Sequence, residues 1–413
     1  MRTQEWLTEK RLRVHGSLLA VCLWSLFLWN LWTPGLRDRA GNLKGTDFLH
    51  FYTLASVALA HNGSVLYDMN AQAILAAERV PQAAGIKYLP LYPPEVSIFF
   101  APLARLSYPW ALALWWASNV AIYGACCFFV WRACPGLKEH GATVALLASA
   151  YPAFFHLIAW GQTSGLALVC FTVLFFLLRS ERDFLAGVVL GCLIFKPQLG
   201  LAAAIVFSCA GAWRVLLGAA LSSVAQLSVG VLYYGWRPMR EWTGLLWHFR
   251  SLTALLEPKP YQTHSLRTFW SLLVPWPTAA LVLYVATAVV VLCVTVAVWK
   301  RGPSLPLSFR YSMVLLASVL VAPHLTVYDL VVLVPAILFL TDWLVSNGDV
   351  RSHRMMGTLL YLVYALPLLG PIARTTHIQL SVIAMTWLAY MMWKTRASPA
   401  VEGNAEPARP AQI

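Results

Sequence analysis

Five polar side chains stand out in a chain that is otherwise mostly apolar: Asp47, Gln162, Lys196, His324 and Asp329. An acid, an amide, an ammonium and an imidazole around one wet cavity can deprotonate a hydroxyl and hold a phosphate. Asp47 lies in Gly45-Thr46-Asp47-Phe48-Leu49-His50-Phe51-Tyr52, just beyond the first hydrophobic run, and an acid at a membrane interface is costly without a function. The chemistry it points to is general base catalysis. The alternative is that Thr46 or Asp47 only caps a helix carrying Phe48, Phe51, Leu54, Ala55 and Ala58.

Three of the other four carry a chemical and a structural possibility, and Asp329 a structural one. Gln162, in Gly161-Gln162-Thr163-Ser164 between two apolar runs, can bond sugar hydroxyls or a carboxylate, or can simply close a tight helix connection. Lys196, in Phe195-Lys196-Pro197-Gln198, is expensive as an unpaired ammonium. A phosphate offsets that cost, as does snorkelling to the interface. His324 either tunes Asp47, touches a donor phosphate or is structural, and Asp329 caps the next span. His264, Arg267 and Lys259 lie on a later polar segment and are candidates for an anionic headgroup, because Arg grips phosphate oxygens through two donors.

These residues must be positioned by membrane helices. Of 413 residues, 59% are hydrophobic and 11% charged, against about 25% charged in ordinary globular domains. The net charge of +13 is scattered over short connections with no Lys/Arg-rich block, which fits orientation in the bilayer and contact with membrane lipids rather than nucleic acid. Nineteen tryptophans suit interfacial belts, or an aromatic groove for lipid or sugar. Eight cysteines, mostly inside apolar runs, make no disulfide framework or CxxC metal pattern. GxGxxG followed by a strand, GxxxxGK[ST], HExxH and GxSxG are all missing, which removes the nucleotide, zinc-hydrolase and serine-hydrolase classes.

Lys10, Arg11 and Arg13 before the apolar run Ser17–Trp32 predict a retained first span with its N-terminus inside. Residues 33–91 then form a far-side segment with surface helices at about 47–61 and 70–79, separated by the Asn62-Gly63-Ser64 turn. Residues 92–131 supply one net crossing, with one part re-entrant or interfacial. Ten further apolar runs follow, several too short for a lone span, and give about twelve crossings of an all-α polytopic protein. A second far-side segment covers residues 235–277, and 397–413 is expected to be a disordered cytoplasmic tail after a single membrane domain of residues 1–396.

Four stretches occur in an order that resembles glycosyltransferase family 87: Gly45-Thr46-Asp47-Phe48 with Tyr52; Tyr67-Asp68; Tyr88-Leu89-Pro90-Leu91-Tyr92-Pro93-Pro94 leading to Ala101-Pro102-Leu103; and Gly161-Gln162 followed by Leu185–Gly191 and Lys196-Pro197. His324 and Tyr328-Asp329 extend the match. The resemblance implies a GT-C fold in the inner (plasma) membrane. It also implies transfer of a hexose, mannose in the better-understood branch, from a polyprenyl-phosphate donor to a lipid or glycan acceptor at the extracytoplasmic face. Asp47 would be the base, with His324 beside it. Lys196, Arg267 and His264 would hold the donor phosphate, and Gln162, Tyr52 and Tyr92 the sugar or acceptor. Thr163 stands where the family commonly has Asn. No cofactor or metal is expected, because a lipid monophosphate carries fewer charges than a nucleotide diphosphate and cationic side chains can balance them. A lipid or solute transporter, or a non-catalytic subunit, would use the same cavity without breaking a bond.

Overall fold

The computed structural model describes residues 7–248, 259–347 and 351–395, and among them the chain is helical with no strand. Among the described residues six helices are long and apolar enough to cross a membrane: Glu9–Leu31, Tyr108–Arg132, Trp213–Tyr234, Pro277–Trp299, Val327–Ser346 and Arg354–Thr376. A pair bent by 47°, Pro135–Ser149 and Pro152–Trp160, makes a seventh if it is one span. The sequence predicts about twelve. The difference lies largely in Ser164–Arg179, Asp183–Phe195, Pro197–Cys209 and Leu307–Val321, apolar helices of 10–17 residues, shorter than the ~20 residues a lone span needs. Leu307–Val321 is almost wholly buried among its neighbours. Between residues 92 and 131 only Tyr108–Arg132 is long enough to cross, preceded by the short helix Pro94–Phe100 and the 3₁₀ turn Ala101–Arg105.

The first polar segment folds close to expectation along the chain but not in depth. Thr46–Leu59 and Met69–Arg79 are the two helices, joined through the 3₁₀ turn Gly63–Val65. Asp68 caps the second, its Oδ1 accepting from the N–H of Asn70 at 2.9 Å and of Ala71 at 3.0 Å. The first is not a surface helix: every residue from Phe48 to Ala58 is buried. Its apolar residues run round the whole circumference, so no face suits water, and it packs against Pro94–Phe100, Ala101–Arg105 and Met69–Arg79.

Most of the apolar core falls into a large part built on Leu307–Val321 and Val327–Leu333 and a smaller part around Phe48, Phe51 and Trp115. In the second polar segment the helices Trp236–Trp247 and Leu266–Leu273 are described. The anticipated tail, 397–413, lies outside the described residues.

Candidate active site

A cavity of about 1010 Å³ is lined by residues of both core parts and gathers Asp47, Gln162, Lys196, His324, Asp329 and Tyr92 on its walls. Two left-handed glycines bring the first two into contact. Gly45, φ 63°, ends the loop before Thr46. The Tyr108 hydroxyl fixes this turn by donating to the carbonyls of Lys44 at 2.8 Å and Gly45 at 3.0 Å. Gly161, φ 70°, ends the helix Pro152–Trp160 in the left-handed turn that glycine favours, and the Trp115 indole donates to its carbonyl at 2.9 Å. A Cβ on Gly161 would sit 2.7 Å from the Cβ of Phe48. Gly161→Ala is therefore expected to lower stability by at least the ~1–2 kcal/mol that left-handed backbone costs a non-glycine residue. It should also reduce any activity that depends on the Asp47–Gln162 contact. Thermal denaturation of the purified variant checks the first effect.

Asp47 does not cap its helix, since no side-chain cap bond is made there. Instead its Oδ2 accepts from the Gln162 amide nitrogen at 2.7 Å. The other end of that amide, Oε1, accepts from the N–H of Thr163 at 3.2 Å, which fixes which end faces Asp47. Asp47 still sits in the first helical turn, where the helix dipole favours a negative charge. Burial outweighs this. It pushes the carboxyl up to about 6, while the Gln162 bond and the positive charge of Lys196 pull it down.

Lys196 follows the 3₁₀ turn Cys192–Phe195 and precedes Pro197, which starts the next helix. A residue before proline is driven out of helical conformation, and here Lys196 (φ −137°) leaves the helix axis and reaches the cavity. Its ammonium donates to Asp329 Oδ1 at 2.7 Å and Ser164 Oγ at 2.9 Å, and Ser164 donates to the same carboxylate oxygen at 2.6 Å. The second oxygen, Oδ2, accepts from the N–H and hydroxyl of Thr326, both at 3.1 Å. Asp329 thus caps its helix, as the sequence suggests, and also neutralises Lys196. The ammonium lies 5.0 Å from the Tyr328 ring centroid. One of its three N–H donors is left after the two bonds named.

Three of the candidate residues lie outside the cavity wall. Tyr52 is 2% exposed; its hydroxyl donates to the Leu106 carbonyl at 2.8 Å and accepts from Arg79 at 3.1 Å. Arg267 donates to the carbonyl of Pro323 at 2.8 Å and so supports the loop carrying His324. His264 is fully buried, with Nδ1 2.7 Å from Ser381 Oγ. Burial pushes its imidazole down to about 3, so it is neutral and offers an anion no charge. Lys259, by contrast, is exposed where it lines the cavity.

Ser164 and the Lys196–Asp329 pairing have no role in the sequence reading, although two opposite charges in apolar surroundings are each affordable only together. His50 and Tyr88 also line the cavity. Tyr88 donates its hydroxyl to the Thr46 carbonyl and so braces the turn before Asp47. Among the described residues no group of three or more His, Cys, Asp or Glu is placed to hold a metal ion.

The comparisons with known proteins give one match. The family model described as Glycosyltransferase family 87 aligns with residues 91–323, more than half of the chain. That stretch contains Gln162, Ser164 and Lys196, whereas Asp47 precedes it and His324 and Asp329 follow it. No curated protein and no solved structure matches. With that match and its bundle of apolar helices, the chain belongs to glycosyltransferase family 87 and is a membrane glycosyltransferase.

Proposed function

We propose that this enzyme moves a hexose, mannose by resemblance, from a polyprenyl-phosphate donor to a lipid or glycan hydroxyl with inversion, on a GT-C framework. The observation that carries it is Asp47: a carboxylate released from helix capping, aimed by Gln162, in a cavity large enough for a sugar and a headgroup. Asp47 takes the acceptor's hydroxyl proton while that oxygen bonds to the anomeric carbon. The bond from that carbon to the phosphate oxygen breaks, and the lipid phosphate leaves with one more negative charge. Lys259, His324 and Lys196 line the same cavity and are the groups that would meet that charge.

The orientation follows from the first helix. Asn30 and Leu31, at its far end from Lys10, Arg11 and Arg13, line the cavity. With the basic end inside, the cavity opens on the extracytoplasmic side.

The test is a pH–rate profile with purified protein and labelled polyprenyl-phosphate mannose. A base must be ionised, and the Asp47 carboxyl is pushed up to about 6. The rate should therefore rise with pH to a plateau above that value, and at pH 5 it should be about tenfold below the plateau. A profile flat from pH 5 to 8 would remove Asp47 as base, and binding without any transferred sugar would favour a transporter.

A further inference from the structure

His50 is buried and unsatisfied on the cavity wall. It is 4% exposed, lines the cavity, and neither ring nitrogen has a hydrogen-bond partner among the described residues. The rings of Tyr88 and Tyr92 stand beside it, with centroids at 5.2 Å and 5.7 Å. Leaving buried polar atoms unpaired destabilises a fold, so an imidazole kept here points to a partner that arrives through the cavity. Three residues after Asp47, it sits about 60° round the same helix and one turn along, on the face Asp47 presents to the cavity.

Burial pushes the imidazole down to about 4, and no neighbouring charge opposes this. It is therefore neutral at any pH at which the enzyme would work. A neutral imidazole offers one donor and one acceptor on separate edges of its ring, which two hydroxyls of one sugar can meet together, one accepting and one donating. A phosphate oxygen only accepts, so it would leave one nitrogen unsatisfied. The flanking tyrosines add flat apolar faces of the kind that cover the C–H side of a sugar ring.

We propose that His50, flanked by Tyr88 and Tyr92, is the carbohydrate-hydroxyl subsite of the cavity, holding ring hydroxyls one helical turn from Asp47. This rests on the cavity being the transfer site. The ring belongs either to the donor hexose or to the acceptor.

The experiment compares wild type, His50→Phe and His50→Asn as purified full-length proteins. KM is measured separately for labelled polyprenyl-phosphate mannose and for octyl mannoside as acceptor, and thermal midpoints are recorded without substrate. His50→Phe keeps the ring shape and removes an unpaired polar group, so its midpoint should be unchanged or higher. Its KM for one substrate should rise about tenfold, the loss of one good hydrogen bond, with the pH profile unchanged. The substrate affected identifies which ring His50 holds. His50→Asn, which restores a donor and an acceptor, should recover part of the KM.

Unchanged KM for both substrates overturns the subsite, as does a midpoint several degrees lower in His50→Phe, which would make the imidazole a structural group. If wild type transfers nothing from this donor, the donor assignment fails by itself. The midpoint then decides: a stable His50→Phe supports a ligand-binding role, and an unstable one overturns it.

Discussion

Asp47→Asn is expected to slow sugar transfer by about a thousandfold, within the range that a positioned general base contributes. The substitution is nearly isosteric, and an Asn side-chain oxygen can still accept from Gln162, whose nitrogen lies 2.7 Å from the present carboxylate. The helix loses no cap bond, because Asp47 makes none, and only the small favourable term from the helix dipole goes with the charge. What is lost is a group that can take a proton. The thermal midpoint should stay within a degree or two of wild type or rise, since burial already disfavours the charged form of this carboxyl. Initial rates with labelled donor, read beside a melting curve, separate a chemical effect from a folding one.

Lys196→Met is expected to give the largest stability loss. It leaves the Asp329 carboxyl without its cation where the two side chains are only 5% and 3% exposed. Removing one partner of a buried pair typically costs about 3–5 kcal/mol. Ser164, placed between them, loses an N–H that it now accepts. Asp329→Asn alone strands the ammonium in the same way. The double variant Lys196→Met/Asp329→Asn carries no buried charge and keeps an acceptor for the Thr326 N–H, so it should recover most of the lost stability. A double-mutant cycle on thermal or denaturant midpoints measures this coupling. Two additive losses would show that the residues act independently.

The site was partly legible in the sequence, and the boundary has physical causes. Asp47, Gln162, Lys196, His324 and Asp329 could be picked out because polar groups between apolar runs are rare, and all five reach the same cavity. Which of them satisfy one another could not be read, because Lys196 and Asp329 are far apart in sequence and meet only through tertiary packing. Tyr52 shows a different limit. It is five residues beyond Asp47, about 140° round the helix, and its hydroxyl bonds the protein rather than facing the cavity. His50, on the favourable side of the same turn, was readable by that geometry.

Depth in the fold was harder to read than helix position. The limits of Thr46–Leu59 and Met69–Arg79 lie near those expected, since caps and turn residues mark them locally. The burial of the first depends on Pro94–Phe100 and Ala101–Arg105 folding back over it, which no local pattern encodes. The count of spans suffered likewise, because hydropathy alone does not separate a short helix buried in protein from one crossing lipid.

One measurement isolates the action of Asp47 on bound substrate. Equilibrium binding and single-turnover transfer of labelled polyprenyl-phosphate mannose are followed side by side in wild type and Asp47→Asn. The predicted result is donor affinity within about threefold of wild type and a transfer step too slow to reach completion on the wild-type timescale. Transfer at the wild-type rate, with the donor bound as tightly as before, would contradict it.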